Sequence, residues 1–156
     1  MYLTNKHGMI TNSELFELLA MSSMLMDYNW TEILKRKELF GETFVGFDPN
    51  TVGKMGEKEI MEIASNKAIM LTESRMRCII DCQTHSAGKF CIIHIVREFG
   101  SFSSYIWAYV DYKPVINRYR YPRNIPLRFP KAEAVSRDFL KRGFRFVGPV
   151  IVYSFM

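Results

Sequence analysis

Three cysteines in 156 residues, Cys78, Cys82 and Cys91, are too few and odd in number for a disulfide framework. They read as free thiols of a reducing compartment. No run approaches the ~20 apolar residues of a membrane span. The opening stretch MYLTNKHGMITNSELFELL lacks the basic-then-apolar layout of a secretory signal and the arginine-rich look of a transit peptide. A protein that is neither secreted nor bound to a membrane is expected. Also missing are paired carboxylates, a Ser–His–Asp set, a glycine loop for phosphates, internal repeats and linkers. One domain over residues 1–156 is therefore expected.

What is present is positive charge. Lysine and arginine number 21 against 16 acidic residues, a net charge of +5 that favours an anionic partner. The excess is concentrated. From Tyr112 to Ala132 there are six cations (Lys113, Arg118, Arg120, Arg123, Arg128 and Lys131) and no carboxylate, with Tyr112, Tyr119, Tyr121 and Phe129 interleaved. Guanidinium groups for phosphates alternating with rings for stacking is a composition used by binders of single strands and distorted duplexes. A solvated basic loop that contacts nothing specific is the plainer alternative.

Periodicity makes most of the chain helical. TNSELFELLAMSSM offers Asn12 or Ser13 as an N-cap, and NWTEILKRKELF starts at Asn29 with Glu32 three residues on, a capping-box pattern. FDPNTVGKM places Asp48 as cap and Pro49 at the first helical position. GEKEIMEIAS and TESRMRCIIDC, the latter capped by Thr72, are two short amphipathic helices around the connector NKAIML. SFSSYIWAYVDYKP reads as helix or strand, while VINRYRYPRNIPLRFPK, broken by Pro122, Pro126 and Pro130, is a loop. PKAEAVSRDFLKRG is a helix with proline at its start and Gly143 past its end. The last nine residues, Gly148 to Met156, carry no charge and suit a strand or a helix equally.

Three further groupings have two readings each. Helices flanking NKAIML, with Lys67, Arg75 and Arg77 nearby, form either a phosphate-holding hairpin or a plain αα-hairpin. Cys82, His85, Cys91 and His94 have paired spacing that zinc can use, yet sit partly in an apolar run, which favours coincidence. The stretch MSSMLMDYNW, with Asp27, Tyr28 and Trp30, is either core or a binding pocket.

Taken together, NWTEILKRKELF, FDPNTVGKM, WAYVDYKP and above all KRGFRFVGPVIVYSFM resemble the DNA-3-methyladenine glycosylase I family, its plant members most closely. The similarity is collinear from about Leu15 to Met156. It implies an all-α member of the helix-hairpin-helix glycosylase superfamily, with the uncharged tail as helix and the hairpin of residues 59–80 functional. It further implies a base-excision repair enzyme that flips 3-methyladenine out of alkylated double-stranded DNA and hydrolyses its N-glycosidic bond. Trp30 matches the pocket tryptophan and, with Ser22, is expected to be catalytic. Asp27 and Tyr28 match the turn that enters the duplex. Lys67, Arg75, Arg118, Arg120, Arg123 and Lys131 are the expected DNA contacts.

The departures are specific. Ser22 stands where bacterial members carry a pocket glutamate, and the resembled plant members are serine-bearing there too. Lys6 to Gly8 replaces a Glu-Trp-Gly segment, putting His7 at a tryptophan position, and the chain is about six residues longer around Gln83 to Cys91. Against the family pattern, the domain is incomplete at both termini and lacks the ligands of the family's zinc clip. No metal or other cofactor is therefore expected. A monomer is expected, nuclear in a plant-like eukaryote and cytoplasmic otherwise. The competing expectation is a truncated, catalytically impaired DNA-binding module of the same fold.

Overall fold

The computed structural model describes residues 11–69, 71–81, 92–113, 118–126 and 129–156. Among them are ten α-helices, three short 3-10 turns and no strand. The helices are α1 (Asn12–Ser23), α2 (Trp30–Lys35), α3 (Lys37–Thr43), α4 (Pro49–Val52), α5 (Glu57–Ser65), α6 (Glu73–Asp81), α7 (Ile92–Phe99), α8 (Phe102–Tyr109), α9 (Pro130–Lys141) and α10 (Pro149–Phe155). None is long and apolar enough to cross a membrane.

Helix α1 occupies the middle and packs against α4, α8 and α10. Its buried face of Leu15, Phe16 and Leu19 meets Phe47 edge-on, with Phe16 and Phe47 ring centroids 5.7 Å apart. Burying a large apolar side chain contributes about 1.5–3 kcal/mol, so this face anchors the whole bundle. A second aromatic cluster joins α8, α9 and α10 through Phe102, Phe139 and Phe155, all at most 2% exposed.

Local chemistry explains the helix ends. Asp48 accepts from the Thr51 amide at 2.9 Å and starts α4 as expected. The first cap differs from expectation. Thr11, not Asn12 or Ser13, caps α1, because Glu14 at the third helical position returns a bond to the Thr11 amide at 2.8 Å. Asn12 instead accepts from the Phe102 amide at 2.9 Å, tying α1 to α8. The single helix expected over NWTEILKRKELF is two, broken at Arg36 (φ −105°, ψ 8°). Both ambiguous stretches are helical: WAYVDYKP begins inside α8, and the uncharged tail forms α10. At the end of α9, Gly143 (φ +86°) adopts the left-handed conformation, and the Gly143 and Phe144 amides donate back to Leu140 and Phe139 at 3.1 and 3.0 Å. This closure, completed by a tilted Phe139–Phe144 ring contact at 4.8 Å, turns the chain sharply toward α10.

Candidate functional site

The turn between α1 and α2 carries the sequence-predicted pocket residues. A 3-10 turn over Met24–Met26 ends at Asp27, Tyr28 follows, and Asn29 caps α2 by accepting from the Glu32 amide at 3.0 Å. That cap places Trp30 at the first position of α2, where the ring is half-buried against the core and not sealed within it. Tyr28 likewise packs partly against the core. One turn back along α1, Ser22 is fully buried, and its Oγ has no hydrogen-bond partner among the described residues. A buried hydroxyl without a partner costs about 1–3 kcal/mol, so the position carries a local penalty.

The hairpin forms as expected from α5 and α6. In its connector the Asn66 side chain accepts from the Ala68 amide at 3.0 Å, Ile69 and Leu71 point into the core, and Lys67 stands exposed at the tip. Thr72 caps α6, its Oγ1 3.4 Å from the Arg75 amide.

Arg75 departs from its expected role as a DNA contact. It is only 7% exposed. Its Nε donates to Asp27 Oδ2 at 2.8 Å, Nη1 lies 3.8 Å from the Met26 sulfur, and the guanidinium sits 3.9 Å above the Phe146 ring. The side chain is committed inside the protein, and its charge is met by a half-exposed carboxylate. Lys131, in the first turn of α9, makes an exposed surface ion pair with Asp111 at 2.9 Å and remains open to solvent. Arg118, Arg120 and Arg123 are exposed as expected. A 3-10 turn over Pro122–Asn124 folds the guanidinium groups of Arg120 and Arg123 over the Tyr121 ring at 5.6 and 5.3 Å. Arg128, the Lys6–Gly8 segment and the Gln83–Cys91 insertion lie outside the described residues.

A narrow cleft opens between α1, α6 and the loop before α10. Ser23, Arg75, Cys78, Arg145 and Phe146 line it, and its free volume of about 20 Å³ suits a single water. Trp30 and Ser22 do not line it. Phe146 and Arg145 were not singled out from sequence. The available signal was an aromatic in GFRFVG between two helices, outside any helical period.

The zinc clip of the resembled family needs several nitrogen and sulfur donors in one place. Among the described residues no group of three or more His, Cys, Asp or Glu side chains comes together. Three of the four residues with paired Cys/His spacing, Cys82, His85 and Cys91, lie outside the described residues. The described residues do not fit zinc, and no step of the chemistry is assigned to it.

The all-helical architecture is shared with solved glycosylase structures. The structure of 3-methyladenine DNA glycosylase I from Staphylococcus aureus, described as showing the basis of 3-methyladenine recognition, superposes with a TM-score of 0.84 at 30% identity, covering 96% of this chain and 76% of that one. A tyrosine-to-phenylalanine variant of 3-methyladenine DNA glycosylase I in complex with 3-methyladenine gives 0.83 at 30% identity, over 92% and 74%. The fold is thus that of the helical DNA glycosylases. Residues 2–156 match the methyladenine glycosylase family, and the chain belongs to it. The DNA-3-methyladenine glycosylase of Haemophilus influenzae is 28% identical over 145 residues, 93% of this chain and 75% of that protein.

Proposed function

We propose that the chain is a DNA glycosylase that removes 3-methyladenine from alkylated double-stranded DNA by hydrolysis, in base-excision repair. One observation carries the assignment to particular residues: the half-buried Trp30 opens α2 directly behind the Asp27–Tyr28 turn, in a chain of the methyladenine glycosylase family. The relatives' names favour an enzyme over a module that only binds.

The chemistry suits a lightly equipped site. Methylation of a ring nitrogen makes the base cationic, so the C1′–N9 bond breaks with its electron pair passing to the purine, which leaves neutral. Water supplies the oxygen that bonds to C1′ and releases a proton. The protein's work is to extrude the base, select it and shield it. Trp30 stacks on the cationic ring, an attraction of about 0.5–2 kcal/mol. The buried Ser22 hydroxyl, both donor and acceptor, is assigned to the base edge, and its unpartnered Oγ supports that assignment. Tyr28 fills the gap in the duplex, while Lys67, Arg118, Arg120 and Arg123 grip phosphates.

The test is release of 3-methyladenine from methylated duplex by the purified chain, with Trp30→Ala alongside. Release by the wild type and a slowing of about 10–100-fold in the variant are expected. Wild-type release no higher than background removes the assignment.

A further inference from the structure

We propose that Arg75 is a positioning residue that fixes the Asp27–Tyr28–Trp30 turn against the hairpin. The role assigned to that turn rests on the glycosylase reading. Three segments distant in sequence converge on this guanidinium: the turn through Asp27 at 2.8 Å, α6 through its own backbone, and the loop before α10 through the Phe146 ring at 3.9 Å. Asp27 and Arg75 are 48 positions apart in sequence, so no local preference brings them together.

Stability alone is a poor reason for the arrangement. A buried ion pair is often matched or bettered by apolar side chains of similar volume, and apolar neighbours such as Phe16, Leu19 and Ile79 surround the cleft beside Arg75. The ring beneath the guanidinium also sits on a disfavoured backbone. Phe146 has φ +55°, a conformation that a non-glycine residue holds only where its surroundings enforce it. A dispensable contact has no need of that conformation.

What the arrangement supplies is direction. The planar guanidinium has fixed donor vectors, and one of them sets the Asp27 carboxylate. Asp27 is three residues from Trp30, so its orientation sets the entry to α2 and the tilt of the indole. The same bond meets a negative charge on a surface proposed to approach phosphates; an unmet carboxylate there repels the duplex. Because Arg75 lies on the second helix of the hairpin, its bond to Asp27 ties the hairpin directly to the turn proposed to enter the duplex.

The experiment compares Arg75→Met, Arg75→Lys and Arg77→Met in a Trp107→Phe background, which leaves Trp30 as the single indole. Arg77 lies on the same helix but pairs outward with Glu57 and Glu73. Iodide or acrylamide quenching of Trp30 fluorescence reads the order of the turn directly, without need of activity. Single-turnover release of 3-methyladenine and binding of undamaged duplex read the consequence. Arg75→Met is expected to raise the quenching constant, to slow single-turnover release about 100-fold, the scale of a 1 Å misplacement, and to weaken undamaged-duplex binding only slightly through the unmet Asp27 charge. Arg75→Lys restores charge but not direction and stays slow, while Arg77→Met matches the parent. Unchanged quenching in Arg75→Met overturns the proposal whether or not the parent releases base. So does full recovery by lysine, which reduces the role to charge. A parent protein that releases nothing, with quenching that still responds to Arg75→Met, removes the glycosylase reading and leaves the positioning role standing.

Discussion

Two arginines in this protein use the same chemistry for different ends. Arg142 closes α9: its Nε donates to Asp138 at 2.7 Å, Nη1 to Glu98 at 2.7 Å, and the guanidinium lies 5.3 Å from the Tyr105 ring centroid and 5.5 Å from that of Phe99. Tyr105 donates its own hydroxyl to Asp138 at 2.6 Å. Every partner belongs to α7, α8 or α9, so the network staples helix to helix. Arg75 has one carboxylate, on a turn, and one ring, on a strained loop. Redundant partners on regular elements mark a structural brace. Partners drawn only from irregular segments, with the single carboxylate on a half-exposed turn, mark a part whose placement is used by something else.

Removing each arginine separates the two roles most sharply. Arg142→Met is expected to cost about 3 kcal/mol in urea denaturation by stranding Asp138, with base release per folded molecule preserved. The Arg75 variant is expected to show the opposite balance, and equal stability losses in the two would erase the distinction. Next in size, Trp30→Ala should slow release per folded molecule about 10–100-fold, the worth of one stacked base, with some lowering of the urea midpoint from the lost half-buried packing.

Acid titration sharpens the structural side. Burial pushes the Asp138 carboxyl up, but hydrogen bonds from Tyr105 and Arg142 outweigh it and hold the group below its ordinary value. A depressed carboxylate lends stability that is full above the unfolded value, about 3.9, and is lost as pH falls through the folded one. Urea midpoints measured downward from pH 5 should therefore fall, and Asp138→Asn should flatten that limb. In the same network burial raises the Tyr105 hydroxyl, as does its bond to Asp138, so the phenol stays protonated across this range. The smallest effects belong to the exposed tract. Arg118→Ala and Arg123→Ala should each reduce the salt dependence of duplex binding by roughly one unit of slope, with stability within about 0.5 kcal/mol of the parent. A larger stability loss would place those side chains with Arg142 instead.

Most helices were legible because their starts and stops are chemical. Asn29, Asp48 and Thr72 cap where the sequence places caps, and Gly143 ends α9 where expected. Legibility failed where a side chain is claimed by something far away. Asn12 is a good cap by type, but the Phe102 amide, 90 residues on, takes it. Helix α7 was not anticipated, since its short apolar run follows the Gln83–Cys91 insertion and offers too few turns for a period. The apolar tail became helix through burial of Ile151, Val152 and Phe155 against the core, which outweighs the β-branched preference for strand.

At the site, Trp30 and the exposed arginines stand in settings compatible with their sequence assignments, while Arg75 does not. A cation on an amphipathic helix reads as a solvent-facing group, and nothing nearby announces an acid 48 residues earlier. Ser22 was assigned by resemblance alone. Its complete burial with an unpartnered hydroxyl becomes visible only once α1 is packed.

The left-handed backbone at Phe146 limits what mutation can do there. Glycine would relax the torsion yet delete the ring under Arg75, and a β-branched residue would worsen the torsion while supplying no flat face. Neither substitution improves one property without damaging the other. A lineage drifting through neutral changes elsewhere in the molecule therefore finds few accepted neighbours at this codon, and variant libraries should return phenylalanine or its closest aromatic analogues at position 146.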